Sequence, residues 1–81
     1  MNNFELINGR DYCVKFSPEE RPETWQYFVE IKVSIKEDET STMYLYLFTE
    51  VSESKIKELC SKLVHEYYPM CIGNYDVCIY E

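Results

Sequence analysis

The longest regular pattern in the chain covers residues 25–36, where apolar and polar side chains alternate, with Phe28 as the one apolar residue on the polar face. Alternation with a period of two is typical of a strand that has one face on a core and the other towards water. Twelve residues at about 3.3 Å each would make a strand of about 40 Å, which is long for a small domain, so we expect a bend or bulge near one end. The apolar face of this predicted strand carries Trp25, Tyr27, Val29, Ile31, Val33 and Ile35.

Residues 42–49 differ because they are apolar on both faces. Met43, Leu45 and Leu47 would point one way, and Tyr44, Tyr46 and Phe48 the other. We interpret residues 37–41 as a turn that places Lys36 opposite Thr42, and therefore Ile31 opposite Leu47. Since a slip of one residue would mix the two faces, the pattern itself fixes which face each side chain occupies.

One amphipathic helix follows. Ser52 is the predicted N-cap, Val51 and Ile56 occupy the positions of a hydrophobic staple, and Pro69 ends the helix. About sixteen residues give a length of about 24 Å, enough to cover one face of a small sheet and no more. Helical spacing relates Ile56, Leu59, Cys60, Leu63, Val64 and Tyr67.

Two shorter alternating segments complete the pattern, over residues 10–16 and 75–80. Asn8-Gly9 upstream is a hairpin signal, and a three-residue loop with a Gly bulge would bring Phe4 and Leu6 onto the face of Tyr12. A short irregular arm is the alternative. The order β(β)ββαβ predicts one two-layer α+β domain over residues 1–81, with a mostly antiparallel sheet of three to five strands and one helix on its apolar face.

The charge is strongly acidic, with fifteen Asp and Glu against eight Lys and Arg and a net charge of −7. Such a surface repels phosphate backbones, so we expect no direct binding of nucleic acid. It favours a basic protein surface as partner, although the charge also serves solubility. The start of the chain lacks the basic and apolar runs of a signal peptide, and no segment approaches the ~20 apolar residues of a membrane span. We expect a cytoplasmic protein, in the host cytoplasm if a phage encodes it, with no membrane partner.

Catalytic, cofactor and metal motifs are missing from the sequence, and we expect a protein that is not an enzyme. The cysteines lack zinc-site spacing, and the two glycines make no phosphate-binding loop. Free thiols are the main expectation for a reducing compartment. A thiol or metal site would have to combine Cys13 and Cys78, as neighbours on adjacent strands, with Cys71 and His65.

The predicted binding surface is the sheet face that the helix leaves open. Exposed aromatic side chains there would form a patch of the size that marks interfaces. Acidic residues in the two predicted loops would add steering and rim contacts. The candidate partner-binding residues are Phe28, Glu30, Tyr44, Tyr46 and Phe48, with Glu37, Asp38 and Glu39 in one acidic loop and Glu19 and Glu20 in the other.

A small, acidic α+β chain without active-site chemistry resembles the broad class of phage or mobile-element proteins that block host defence nucleases, including anti-CRISPR proteins and nucleic-acid mimics. The resemblance implies a non-catalytic inhibitor of a basic, nucleic-acid-handling protein. Two alternatives stay open: a structural or assembly protein that homodimerises through its aromatic sheet face, and a toxin-immunity protein.

Overall fold

The computed structural model describes residues 5–17, 24–70 and 74–80. Its elements follow the chain as strand β1 (Tyr12–Lys15), strand β2 (Tyr27–Lys36), strand β3 (Glu39–Leu47), helix α1 (Glu53–Tyr67) and strand β4 (Tyr75–Tyr80). The four strands form one sheet in the order β1-β3-β2-β4, and every pair of neighbours is antiparallel. This confirms the predicted two-layer α+β fold.

The core lies between one face of the sheet and α1. Across the central hairpin, Val29 faces Leu45 and Ile31 faces Met43, and none of these side chains is exposed. The shortest extent of the molecule is 19 Å, which is what one sheet and one helix of about 10 Å diameter give together. From the helix, the core receives Ile56, Leu59, Cys60, Leu63 and Val64.

The register of the central hairpin differs from the predicted one. Lys36 pairs with Glu39, so the loop consists only of Glu37 and Asp38, and Ile31 lies opposite Met43 rather than Leu47. Residues 39–41, which we expected in the turn, begin β3. Because the shift is an even number of residues, each side chain keeps its predicted face. The expected irregularity near one strand end is present as a register shift between Ser34 and Lys36.

The helix begins and ends as the sequence predicts. The Ser52 side chain accepts a hydrogen bond from the backbone N–H of Lys55 at 3.2 Å, as an N-cap does. At the other end, the backbone N–H of Tyr68 donates to the Val64 carbonyl at 2.8 Å. The hydroxyls of Tyr68 and Ser41 lie 2.8 Å apart and tie the end of the helix to β3. Among the described residues, α1 included, no helix has the length and apolar character needed to cross a membrane.

Residues 5–11 form an irregular arm, the second of the two predicted versions, while Phe4 lies outside the described residues. The backbone N–H of Arg10 donates to the Ile7 carbonyl at 3.1 Å, closing a turn over Asn8 and Gly9. Gly9 has a φ of 93°, a conformation that favours glycine at this turn position. The predicted hairpin strand is therefore not part of the described arm.

Asp11 holds this arm in place. Its carboxylate accepts hydrogen bonds of 2.8 Å from the Ile7 backbone N–H and from the Arg10 guanidinium. The hydrogen bond from Arg10 and the one from Ile7 lower the pKa of the carboxyl group from its ordinary value.

We expect Asp11→Asn to reduce the acid sensitivity of the fold. Because the folded state depresses the pKa of Asp11, its contribution to stability is fully present above the ordinary carboxyl pKa of about 4 and is lost as the pH falls through the lower folded value. Urea unfolding at pH 6 and pH 3 should show a smaller difference for Asp11→Asn than for the wild type. An equal difference in both proteins would contradict this role.

Candidate functional site

The sheet face opposite α1 carries a continuous row of stacked rings. Phe28 lies directly between Tyr46 on β3 and Tyr80 on β4. Its ring centroid is 5.0 Å from that of Tyr46 and 5.5 Å from that of Tyr80, and the planes are within 23° of parallel. The Tyr44 ring lies 5.9 Å from Phe28 at an interplanar angle of 8°. Aromatic pairs of this kind contribute about 0.5–1.5 kcal/mol beyond their buried area, so the row is a fixed structure and not a set of free side chains.

Trp25 also belongs to this face, which corrects the sequence prediction. The alternation placed it with Tyr27 on the core side, but its ring packs at 6.1 Å from Phe28 and 6.4 Å from Tyr46. The chain bends at Gln26 and β2 begins only at Tyr27, so the period of two does not extend back to Trp25. We call the set Trp25, Phe28, Tyr44, Tyr46, Phe48 and Tyr80 the aromatic face.

The prediction that Tyr46 is exposed is wrong, because its side chain is 0% accessible. It lies in the middle of the sheet, and Trp25 and Phe28 pack against it. Tyr46 therefore supports the aromatic face from below and offers no surface to a partner.

The other rings leave the aromatic face partly open. Trp25 is 37% exposed and Tyr80 is 44% exposed, while Phe28, Tyr44 and Phe48 are half-buried. Phe48 and Trp25 line a small open cavity of about 120 Å³ together with Thr24 and Gln26. The accessible part of the face thus consists of ring edges and planes held in fixed positions around a sealed centre.

Charged side chains border the rings in balanced numbers. Glu30 lies opposite Tyr44 on β3 and opposite Cys78 on β4, so the structure brings this predicted site residue into the aromatic face. Lys15 flanks Tyr44 on its other side, and Lys32 faces Asp76. The sheet face itself is therefore close to neutral.

The acidic turn lies apart from the rings. Glu37, Asp38 and Glu39 are all exposed at the far end of the β2–β3 hairpin. Glu37 is nine positions along the chain from Phe28, about 30 Å, and Glu39 is five positions along β3 from Tyr44, about 17 Å. The turn would therefore contribute to a complex through its electric field or through rim contacts beside Tyr44. Glu19 and Glu20 of the other acidic cluster lie outside the described residues.

The thiol site that the sequence left open does not assemble from the described residues. Cys13 lies on β1 and Cys78 on β4, and these are the two outer strands of the sheet, not neighbours as that hypothesis required. Three strand spacings and a register offset of two residues put them about 16 Å apart. Cys71 lies outside the described residues and His65 is exposed on α1. Within the described ranges, no group of three or more His, Cys, Asp or Glu side chains is arranged to hold a metal ion.

The described cysteines Cys13, Cys60 and Cys78 are free thiols. Burial raises the pKa of Cys60 to about 12, and it also raises the pKa of Cys13. Because the thiolate is the reactive form, both groups are poor nucleophiles at neutral pH.

The alternation of side chains along β2 and β3 predicted the aromatic face from the sequence, but it did not place Trp25 there. The available signal was weak: Trp25 follows directly after the proline- and acid-rich residues 17–24, where a strand is least expected to begin. Comparison of the chain with models of protein families, with curated proteins and with solved structures finds no match.

Proposed function

We propose that this protein is a non-catalytic binding module that docks its aromatic face onto a basic protein surface. Its action would be that of a small inhibitor of a nucleic-acid-handling protein, as in phage or mobile-element anti-defence. The observation that carries the proposal is the row of stacked, partly exposed rings on the sheet face that α1 does not cover.

The packing of the rings suits them to binding. Phe28 and Tyr44 are held by stacking, so a partner has little side-chain freedom to immobilise when it covers them. Tyrosine and tryptophan are also the residue types most enriched where interfaces gain most of their affinity. Tyr44, Trp25 and Tyr80 are therefore the proposed anchors.

The net charge indicates the class of partner. A domain with a net charge of −7 attracts basic surfaces from a distance and accelerates their encounter. Proteins that bind nucleic acid carry such surfaces, because they neutralise phosphates with lysine and arginine. A domain docked there would occupy the place of the nucleic acid, which is the proposed basis of inhibition.

A second candidate function is assembly through the same face. Lys15 and Lys32 on the sheet face are matched by Glu30 and Asp76, and a face with both signs can meet a copy of itself without net repulsion. In that case Tyr44 would pack against the aromatic face of another copy, and Tyr44→Ala would convert a dimer into a monomer in light scattering.

The experiment that tests the proposed function is capture of partners from a lysate of the source cells, followed by mass spectrometry and binding measurements. We expect a basic, nucleic-acid-binding protein whose affinity for the domain falls at least about tenfold between 0.05 M and 0.5 M salt. Duplex DNA or RNA should compete with the domain for that protein. An affinity that does not change with salt, or simultaneous binding of the domain and the nucleic acid, would contradict the proposal.

A further inference from the structure

The two edge strands of the sheet, β1 and β4, differ in whether another described segment hydrogen-bonds to their outer side. At the β1 edge, the arm pairs with the start of the strand, where the backbone N–H of Gly9 donates to the Tyr12 carbonyl at 2.7 Å. At the other edge, β4 pairs with β2 on one side, and no described strand pairs with its outer side. An uncovered edge presents a row of backbone donors and acceptors that a further strand can use.

The hydrogen-bond pattern between β2 and β4 shows which residues of β4 direct their backbone N–H and C=O groups outwards. The backbone N–H of Ser34 donates to the Asn74 carbonyl at 3.0 Å, in line with the β2–β4 register. In an antiparallel ladder, hydrogen-bonded and non-hydrogen-bonded pairs alternate. The backbone groups of Tyr75, Val77 and Ile79 therefore point away from β2, towards the open edge.

The described residues 75–80 of β4 lack most of the features by which proteins block such pairing. Its sequence, Tyr-Asp-Val-Cys-Ile-Tyr, contains no proline, glycine or lysine, and Asp76 is its only charged residue. Its register with β2 continues from Tyr75 to Tyr80 without a bulge. Prolines, lysines and bulges are the usual means of protecting an edge strand, so β4 is open to strand addition.

A groove with both polar and apolar lining runs beside this edge on the helix side of the sheet. It has a volume of about 370 Å³. Val77 and Ile79 in it are only half-buried, because α1 does not reach fully over β4. The groove is lined by Tyr27, Val51, Glu53, Ile56, Lys57, Val77 and Ile79.

We propose that the occupant of this edge is β4 of a second copy of the chain, antiparallel and related by a two-fold axis at Val77. Val77 then lies opposite Val77 of the second copy, and Tyr75 opposite Ile79 of the second copy. These are the residues whose backbone groups point outwards, and they exchange about six hydrogen bonds. Their side chains form one apolar row across the junction, filling the groove from both sides, and the two sheets become one.

The charges at the edge favour a second copy over a basic peptide. Glu53 and Lys57 at the groove form an ion pair at 3.2 Å, so the margin is neutral in a molecule with a net charge of −7. Two copies can meet at this margin with little local repulsion, and a basic peptide finds no acidic groove. The Val77-centred register places Asp76 opposite Cys78 of the second copy, whereas an axis at Asp76 would oppose two carboxylates.

This dimer is independent of the proposed function and responds to salt in the opposite sense. Because each copy carries the same net charge, screening should strengthen the dimer, whereas it should weaken binding to a basic partner. Analytical ultracentrifugation should show a concentration-dependent monomer–dimer equilibrium that shifts towards dimer between 0.05 M and 0.5 M salt. A wild-type protein that remains monomeric at millimolar concentration and 0.5 M salt would overturn the inference.

Charge variants at the axis test the register. Val77→Glu and Val77→Lys should each raise the dimer dissociation constant at least about 30-fold, because equal charges meet at the axis, and an equimolar mixture of the two should recover much of the dimer. Val77→Thr, which keeps the branched shape without charge, is the matched control and should dimerise like the wild type. Circular dichroism establishes that each variant is folded.

Several results would contradict the proposed interface between two β4 strands. Undiminished dimerisation of folded Val77→Glu, or no recovery in the mixture, would overturn this interface. A dimer that Tyr44→Ala abolishes while Val77→Glu leaves it intact would assign the contact to the aromatic face instead. As a second readout, Asp76→Cys should form a disulfide with Cys78 of the second copy under mild oxidation, identified by peptide mass spectrometry; absence of that crosslink in a dimeric sample would contradict the Val77 axis.

Discussion

Tyr44→Ala should raise the dissociation constant of the partner complex about 30-fold while the domain remains folded. The Tyr44 ring is half-buried and stacks on Phe28, the central ring of the aromatic face. Removal of an aromatic side chain that anchors an interface commonly costs about 2 kcal/mol of binding free energy, which corresponds to this factor. Isothermal titration calorimetry with the captured partner measures the change directly.

Tyr67→Ala is the matched control for this variant. Tyr67 has a similar ring that is 40% exposed, but it lies on α1 and contacts Phe16, away from the aromatic face. Its removal should leave the affinity within about twofold of the wild type. Equal losses for the two variants would show that the aromatic face has no special part in binding.

Leu45→Ala should lower the free energy of unfolding by about 3 kcal/mol. Leu45 lies in the centre of β3, faces Val14 and Val29 across the neighbouring strands, and is fully buried under α1. Alanine leaves a cavity there that the surrounding strands cannot close, in addition to the lost transfer free energy. Urea unfolding monitored by circular dichroism gives the value.

The adjacent position provides the comparison, because Tyr44 points to the opposite face of the same strand. Tyr44→Ala should cost only about 1 kcal/mol, since it removes one stacking contact from a surface that water already reaches. If Tyr44→Ala were the more destabilising of the two, the aromatic face would be a second core and not a binding surface.

The parts of the fold that local patterns determine could be predicted from the sequence. Alternation in residues 27–36 follows from the pleat of a strand, and the spacing of Ile56, Leu59 and Leu63 follows from the helical turn. Ser52 is a cap because its side chain accepts a hydrogen bond from a helical N–H that would otherwise lack a partner within the helix. One helix covers one sheet face, so the existence of an open face also follows from the sequence.

The register and strand order depend on interactions that local patterns do not show. Glu39 and Thr40 look like turn residues because they follow Glu37 and Asp38, but the two-residue loop lets them extend β3. Any even shift of β3 preserves the two faces, so the pattern could not choose among these registers. The separation of Cys13 from Cys78 likewise depends on which strands form the edges.

The detail of the candidate site depends on one tertiary contact. The bend at Gln26 places the preceding residue, Trp25, on the outer face, where its ring packs against Tyr46. A strand pattern extended by two residues gives the opposite face for Trp25 and leaves Tyr46 exposed. The correction changes the proposed anchors but keeps Phe28, Glu30 and Tyr44 together.

Trp25 offers a direct probe of whether a partner covers the aromatic face, because it is the only tryptophan in the chain. The domain labelled with 5-fluorotryptophan should give one fluorine NMR signal in the described fold. Upon addition of the captured partner, we expect this signal to shift and to lose its sensitivity to the exchange of H₂O for D₂O, as the ring leaves the solvent. A complex of confirmed stoichiometry in which the Trp25 signal keeps its free position and its solvent sensitivity would contradict the account.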